Sequence, residues 1–217
     1  MYVVTGLTRM SHGRICLSVY DTNLNRYLRP IPPNNKYSEE DLRHLTLFSV
    51  VNLNHDNRIH LIQAPHTEDF PVTNQQLQPV RTLNRVEQLM LLRQISLQSV
   101  YNIFGFQNQE PILKQRWIRN YVLPGTGIRS LGTVAANRVR LYYDNYNKIR
   151  VNFTDTSGNT FIEVPFVSNE NINPDQFTLQ LNNCIEKYVR LSLARPFRPE
   201  NWDFEACFLQ VSCIHGF

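Results

Sequence analysis

The stretch that decides the fold of this chain is Arg138–Val164, RVRLYYDNYNKIRVNFTDTSGNTFIEV. It contains three runs in which apolar and polar residues alternate, and turn-forming residues such as Asn, Asp, Ser and Gly separate the runs. Alternation of this kind is typical of β-strands with one buried face. The sequence therefore predicts three consecutive strands, over Arg138–Asp144, Lys148–Thr154 and Thr160–Val164.

The first of these strands has two faces of different chemistry. Successive side chains of a strand point to opposite sides, so residues two positions apart share a face. We expect the polar face to be exposed and the apolar face to be core. The predicted polar face holds Arg138, Arg140 and Tyr142, and the predicted core face holds Val139, Leu141 and Tyr143.

The end of the chain adds a helix and two more strands. Asn173 followed by Pro174 is typical of a helix start. Strand signals return over Tyr188–Ala194 and Cys207–Ile214. The predicted order is three strands, a helix and two strands, which is the element order of a five-stranded OB-type barrel.

The first half of the chain predicts the same order of elements. Three strands precede Ser38-Glu39-Glu40-Asp41, which resembles the capping box of a short helix that ends near His44. Two further strands follow the helix. The five predicted strands are Tyr2–Met10, Arg14–Tyr20, Arg26–Ile31, Leu47–Asn54 and Arg58–Gln63.

One long helix is predicted between the two halves. From Asn84 to Phe104 apolar residues recur at three- and four-residue steps, and Gly105 supplies a C-cap. The predicted fold class is mostly β with a few helices, as two OB-like five-stranded barrels joined by this helix. The predicted domains are residues 1–70 for the first barrel, 71–111 for the helical connector and 112–217 for the second barrel.

The composition excludes several classes of protein. Of 217 residues 42% are hydrophobic, yet no window approaches the roughly 18 to 20 uncharged apolar residues of a membrane span. The N-terminal residues lack the basic and apolar regions of a signal peptide. The cysteines have no metal-site spacing, so we expect free thiols in a reducing cytoplasm. The sequence predicts a cytoplasmic protein without membrane contact, metal or cofactor.

Positive charge is concentrated in one segment. The whole chain has a net charge of +4, but residues 111–150 contain eight basic residues and one acidic residue. Aromatic residues are interleaved with them between Lys114 and Tyr121, a pattern that suits phosphate contacts and base stacking. A solvated strand face with scattered ion pairs is the alternative interpretation. The residues predicted to bind nucleic acid are Lys114, Arg116, Trp117, Arg119, Arg138 and Arg140.

Further candidate residues lie outside that segment. His66, Glu68 and Asp69 could bind a divalent ion or transfer protons, or they could order a turn. Arg29 and Arg195 each precede a proline that keeps them extended, so they could face a ligand or pair with acidic residues. Together with Arg14, which follows a turn, these residues complete the predicted ligand contacts: Arg14, Arg29, His66, Glu68, Asp69 and Arg195.

The sequence carries no recognised catalytic motif. It lacks the glycine patterns of dinucleotide and phosphate loops, the nucleophile elbow of hydrolases and the paired histidines of zinc proteases. No catalytic residue is therefore assigned, and a binding function is favoured over catalysis.

Four short motifs resemble those of a known family. In chain order they are VTGLTRMSHGR at residues 4–14, RPI at 29–31, PHTEDF at 65–70 and LARPF at 193–197. The chain resembles bacterial proteins that contain a dual OB domain. The resemblance implies two OB-type barrels in a cytoplasmic protein of a bacterium or phage, in a genome-conflict system, that binds nucleic acid or nucleotides. The chain departs from the expected motif at Phe70, where we expect Trp.

Three functions are compatible with these patterns. The leading hypothesis is a non-enzymatic protein that contacts single-stranded nucleic acid or a nucleotide through OB-like barrels. The first alternative is a protein-interaction subunit of a larger effector complex, which docks through the long helix and the barrel edges. The second alternative is a small metal-dependent enzyme centred on His66, Glu68 and Asp69.

Overall fold

The computed structural model describes residues 1–57 and 62–217 and is mostly β, as predicted. The chain divides into two compact units. Their boundaries differ from the predicted domains, because the predicted connector, residues 71–111, is split between them. The first unit contains Met1–Ile62, Glu68–Ile95 and Val167–Asn169, and the second contains Gln63–Thr67, Ser96–Phe166 and Glu170–Phe217.

The first unit is built on a mixed sheet and one helix. Its elements are β1 (Tyr2–Arg9), a 3-10 helix (Ser11–Gly13), β2 (Arg14–Asp21), β3 (Arg26–Ile31), β4 (Tyr37–Ser38), β5 (Ser49–Val51), β6 (Asp69–Pro71), β7 (Arg81–Thr82) and α1 (Arg85–Ile95). The strands run in the order β6-β3-β2-β1-β5-β7, and β4 pairs with β2. The pairing of β6 with β3 is parallel and the others are antiparallel. The first three predicted strands are therefore confirmed.

The predicted helix from Ser38 to His44 does not form, and turns stand in its place. The capping bonds themselves are made, because the Asp41 N–H donates to Ser38 Oγ at 3.1 Å and the Ser38 N–H donates to Asp41 Oδ2 at 2.9 Å. The backbone hydrogen bonds that follow join residues three positions apart. The side chains of Leu42 and Leu45 are buried in this conformation. A helix this short is marginal, so packing of the two leucines decides the conformation.

The last two strands predicted for the first half also differ from the structure. The first of them is shortened to β5, and residues 58–61 of the second lie outside the described residues. On the side away from β2, β3 pairs with β6, which follows later in the chain. An antiparallel bridge between His55 and Val72 then connects the end of β6 to the segment after β5.

The second unit is built on a larger sheet that curls on itself. Its elements are β8 (Ser96–Leu97), α2 (Val100–Phe104), β9 (Phe106–Gln107), β10 (Glu110–Pro111), β11 (Lys114–Arg116), β12 (Arg119–Val122), β13 (Leu131–Tyr143), β14 (Ile149–Asp155), β15 (Thr160–Pro165), α3 (Pro174–Asn182), β16 (Lys187–Leu193) and β17 (Cys207–Gly216). The strands run in the order β11-β12-β17-β16-β13-β14-β15, and β8 pairs with β13. A parallel bridge between Phe166 and Val211 brings the end of β15 to β17.

Strand β13 is shared by two parts of this sheet. It pairs with β16 from Leu131 to Ala135 and with β14 from Ala136 to Tyr143, with a register shift between Ala136 and Arg138 in the second pairing. Thr178 of α3 fixes the helix against it, since its Oγ1 accepts the Leu141 N–H at 2.9 Å. The strands predicted over β13 to β17 and the helix start at Asn173 are confirmed.

The alternation predicted for β13 is confirmed except at its end. Val139 and Leu141 are buried in the core, and Arg138 and Arg140 are exposed. Tyr143 was expected in the core and is 49% exposed, because the strand reaches past the sheet interior into the turn that follows.

The predicted continuous helix from Asn84 to Phe104 is wrong. The chain forms α1 and α2 with the strand β8 between them, because Ser96 and Leu97 pair in parallel with β13. Ser99 then caps α2, as its Oγ accepts the Tyr101 N–H at 3.2 Å. Strand pairing with a distant part of the chain therefore overrides the helical period.

Asp155, at the end of β14, holds the start of α2. Its side chain is fully buried and accepts the Val100 N–H at 3.0 Å and the Asn159 N–H at 2.9 Å. A buried acceptor that serves two backbone donors is costly to remove, because both N–H groups then lose their partner.

We expect Asp155→Ala to lower the free energy of unfolding by about 2 to 6 kcal/mol, since two backbone donors are orphaned and each costs about 1 to 3 kcal/mol. Urea unfolding followed by circular dichroism measures this loss. Asp203→Ala, at a side chain that is 86% exposed, is the matched control and should change stability little. Equal midpoints for the two variants would contradict the role given to Asp155.

The stability of the fold also depends on the protonation state of His215 on β17. Its Nε2 lies 3.3 Å from Sγ of Cys213, which is buried. Burial, together with the positive charge of Arg190, lowers the pKa of His215 to about 4. In the unfolded chain His215 has its ordinary pKa of about 6.5. Neutral His215 therefore contributes its full stabilisation above that pH, and the stabilisation is lost as the pH falls towards 4.

We expect the free energy of unfolding to fall by about 3 kcal/mol between about pH 6.5 and pH 4 through this group. The His215→Gln variant, which cannot take up the proton, should lose correspondingly less over the same range. Thermal unfolding across pH tests this, with His44→Gln at an exposed position as the control. A His215→Gln profile parallel to that of the wild type would refute the assignment.

Candidate nucleic-acid interface

The basic and aromatic residues predicted between 114 and 121 form a hairpin. Strands β11 and β12 pair in antiparallel fashion, and Trp117 and Ile118 make the turn between them. The Arg116 guanidinium lies 5.0 Å from the Trp117 ring centroid and 4.8 Å from that of Trp202, and it donates to Asp203 Oδ1 at 3.3 Å. Arg116 is thus already engaged, while Trp117 is 67% exposed.

An aromatic cluster fixes this hairpin to the sheet. Trp202 is buried, and its ring centroid lies 5.2 Å from that of Tyr121 and 4.9 Å from that of Phe204. Edge-to-face contacts of this kind stabilise more than burial of the rings alone. Trp202 and Phe204 come from the segment between β16 and β17, and no periodic pattern in the sequence indicates that they meet β12.

Beside the hairpin lies a groove with a volume of about 830 Å³, which we call the aromatic groove. The end of β13, the turn after it, β14, β15, β12, β17 and the segment after β16 all contribute to it. Its aromatic side chains are Tyr142, Tyr143, Tyr146, Phe197 and Phe208, its charged ones are Arg119, Asp144, Arg150 and Glu163, and its polar ones include Asn120, Asn145 and Gln210.

The turn between β13 and β14 is held by Asp144. Its Oδ1 accepts the N–H groups of Tyr146 and Lys148, both at 2.9 Å, and its Oδ2 accepts Arg150 Nε at 2.7 Å. The Lys148 N–H first, and then Arg150, lower the pKa of Asp144, so the carboxylate stays charged at neutral pH. The turn therefore presents Tyr146, which is 83% exposed, on a fixed backbone.

Charges inside the aromatic groove balance one another. The positive charges of Arg119 and Arg150 are opposed by the negative charges of Asp144 and Glu163. Arg150 is paired directly with Asp144. Partial burial, followed by the Glu163 carboxylate, raises the pKa of Tyr142, so its phenol is neutral and can donate a hydrogen bond. The groove suits a flat, neutral, hydrogen-bonding ligand better than an isolated anion.

A second groove, of about 530 Å³, adjoins α3, and we call it the basic groove. It contains Arg138 and Arg140 of β13 and Lys187 at the start of β16. Asn and Thr side chains make up most of the rest: Asn137, Asn152, Thr154, Thr160, Thr178 and Asn182.

The six residues predicted to bind nucleic acid are thus distributed over several surfaces. Arg119 lines the aromatic groove, and Arg138 and Arg140 line the basic groove. Arg116 and Trp117 belong to the hairpin. Lys114 is exposed beside a smaller depression of about 270 Å³.

The other predicted ligand contacts are mostly buried. The Arg29 guanidinium lies 2.7 Å from the Asp69 carboxylate in an ion pair that is buried on both sides, so the ion-pair interpretation of Arg29 is the correct one. Glu68 is buried as well, and its carbonyl accepts the Arg29 N–H at 2.7 Å. His66, also buried, belongs to the second unit rather than the first.

The remaining two candidates are arginines at strand ends. Arg14 begins β2 and is partly buried, and Arg195 is exposed in the segment after β16. Arg195 lies two residues before Phe197, which lines the aromatic groove. The LARPF motif was therefore a usable signal for the groove, but it pointed to the arginine rather than to the phenylalanine.

The hypothesis of a metal centre finds no support in the geometry. In residues 1–57 and 62–217 no three His, Cys, Asp or Glu side chains come together in a way that could hold a metal ion. Nor, over the same residues, is any helix long and apolar enough to cross a membrane.

Comparisons of the chain with known protein families and with curated proteins find no match. The likeness of its four short motifs to the dual OB domain family therefore stays a prediction.

Proposed function

We propose that the second unit is an OB-type barrel that binds single-stranded nucleic acid or a nucleotide in the aromatic groove. Its strands β13, β14 and β15 precede α3, and β16 and β17 follow it. Strand β13 pairs with both β14 and β16, while β15 approaches β17 in parallel. Three strands, a helix and two strands in a curled sheet are the parts of a five-stranded OB-type barrel.

The position of the aromatic groove is the observation that carries this proposal. OB-type barrels bind oligonucleotides on the face of their second and third strands, between the loops that follow the first and fourth strands. Here these parts correspond to β14, β15, the turn after β13 and the segment after β16. The aromatic groove draws lining residues from all four.

The chemistry of the groove agrees with such a ligand. The exposed rings of Tyr143 and Tyr146 offer faces for base stacking, which contributes about 1 to 3 kcal/mol per base. Arg119 can contact phosphates, and Asn120 and Gln210 can bond to base edges. Stacking tolerates every base, so we expect weak dependence on sequence.

The first unit has a related order of strands. Strand β1 pairs with β2 and with β5, and β6 runs parallel to β3. Strands β1, β2, β3, β5 and β6 thus share these pairings with β13, β14, β15, β16 and β17, except that, among the described residues, β5 pairs with β7 and not with β6, whereas β16 pairs with β17. This supports two OB-type barrels in one chain, although the first unit has turns where the second has α3.

We expect Tyr146→Ala to weaken the binding of a labelled oligothymidylate by about five- to 150-fold, because one stacked base is lost. Fluorescence polarisation at low salt measures the affinity. Phe106→Ala removes an exposed ring that does not line the aromatic groove and is the matched control. Wild-type affinity in Tyr146→Ala would contradict the placement of the ligand.

A protein-interaction role is the second candidate, and one observation favours it. Val86 and Met90 lie one turn apart on α1 and are 68% and 64% exposed. An exposed apolar pair of this kind can dock onto a partner. Failure of the protein to bind DNA or RNA, with loss of a co-purifying protein in Val86→Ser/Met90→Ser, would favour this role.

A further inference from the structure

The aromatic and basic grooves meet on one face of the sheet. Arg138, Arg140 and Tyr142 are successive outward residues of β13, and the first two line the basic groove while the third lines the aromatic groove. On β14 their partners Thr154, Asn152 and Arg150 divide between the grooves in the same way.

The two grooves are also close enough for one ligand. The Arg140 guanidinium lies 6.0 Å from the centroid of the Tyr142 ring. At about 3.4 Å per residue, Arg138 lies roughly 14 Å along β13 from Tyr142. An extended chain of a few nucleotides spans this distance, since OB-type barrels accommodate about 4 to 16 nucleotides.

The grooves differ in charge in a way that matches the two parts of a nucleotide. The described residues that line the basic groove include Arg138, Arg140 and Lys187 and no carboxylate. Its hydroxyl and amide groups are of the types that contact phosphate oxygens. The aromatic groove has rings and balanced charges, which suits bases.

We propose that a single strand of nucleic acid lies across both grooves, with its bases in the aromatic groove and the phosphates of adjoining nucleotides on Arg138 and Arg140. Lys187 adds positive charge to this phosphate path, although its Nζ also donates to the Cys184 carbonyl at 2.7 Å. The inference rests on the proposed function of the aromatic groove. It identifies the ligand as an oligonucleotide rather than a free nucleotide, and it adds the basic groove to the binding surface.

The test compares oligothymidylates of two lengths, a dinucleotide and a strand of about 12 nucleotides. In Arg138→Gln/Arg140→Gln we expect about tenfold weaker binding of the long strand, because contacts of charged groups with phosphate are lost. Binding of the dinucleotide should stay within about twofold of wild type, because the aromatic groove alone holds it. The salt dependence of long-strand binding should also shrink, by about 1.4 in the slope of log K against log salt.

Arg26→Gln/Arg43→Gln removes the same charge from exposed arginines of the first unit and is the control. It should leave the affinity for the long strand within about twofold of wild type. Loss of affinity in this control equal to that in Arg138→Gln/Arg140→Gln would overturn the inference, because net charge rather than a phosphate path would then explain the effect.

The outcomes separate the inference from the proposed function. If Tyr146→Ala weakens binding but Arg138→Gln/Arg140→Gln binds the long strand as wild type does, the aromatic groove stands and the path across both grooves is overturned. If neither length binds to the wild-type protein at low salt, the proposed function fails and the inference fails with it.

Discussion

The register of β13 between its two neighbours is the constraint on which the rest of the second unit depends. Because side chains alternate along a strand, one register puts Val139 and Leu141 into the core and Arg138 and Arg140 outside. A slip of one residue would exchange the two sets, burying two guanidinium groups, so the register is strongly specified. The partner of β13 changes from β16 to β14 between Ala135 and Ala136, and the end of the strand at Tyr142 and Tyr143 lines the aromatic groove.

Interactions at the two ends of this sheet give the grooves their fixed walls. Asp144 holds the turn that carries Tyr146, and Trp202 packs the segment after β16 against β12. At the other end, Thr178 bonds to β13 and closes the basic groove with α3. Side chains whose backbone is fixed in this way lose little entropy on binding, which favours a preformed surface.

The sequence predicted the strands of both units well where alternation was strict, as at β1 to β3 and β13 to β17. It failed where a distant partner decides the local conformation. The helical period over residues 84–104 is interrupted because Ser96 and Leu97 pair with β13 and because Asp155 takes the Val100 N–H. Neither partner is visible in the sequence near the break.

The candidate site was predicted only in part, for a similar reason. Arg119, Arg138 and Arg140 were found because a basic segment is a local signal. Phe197 and Phe208 come from distant segments and meet the turn at Tyr146 only in the folded sheet. Arg29 and Asp69 were predicted to contact a ligand because they are charged and lie within recognisable motifs. In the structure they form an ion pair with each other in the interior.

Photo-crosslinking of a bromouracil-substituted single strand to the wild-type protein, followed by mass spectrometry, tests the central claim most directly. A strand that stacks in the aromatic groove should crosslink to Tyr143, Tyr146 or Phe197. Crosslinks confined to the first unit, or to surfaces of the second unit outside the two grooves, would contradict the assignment of the binding surface.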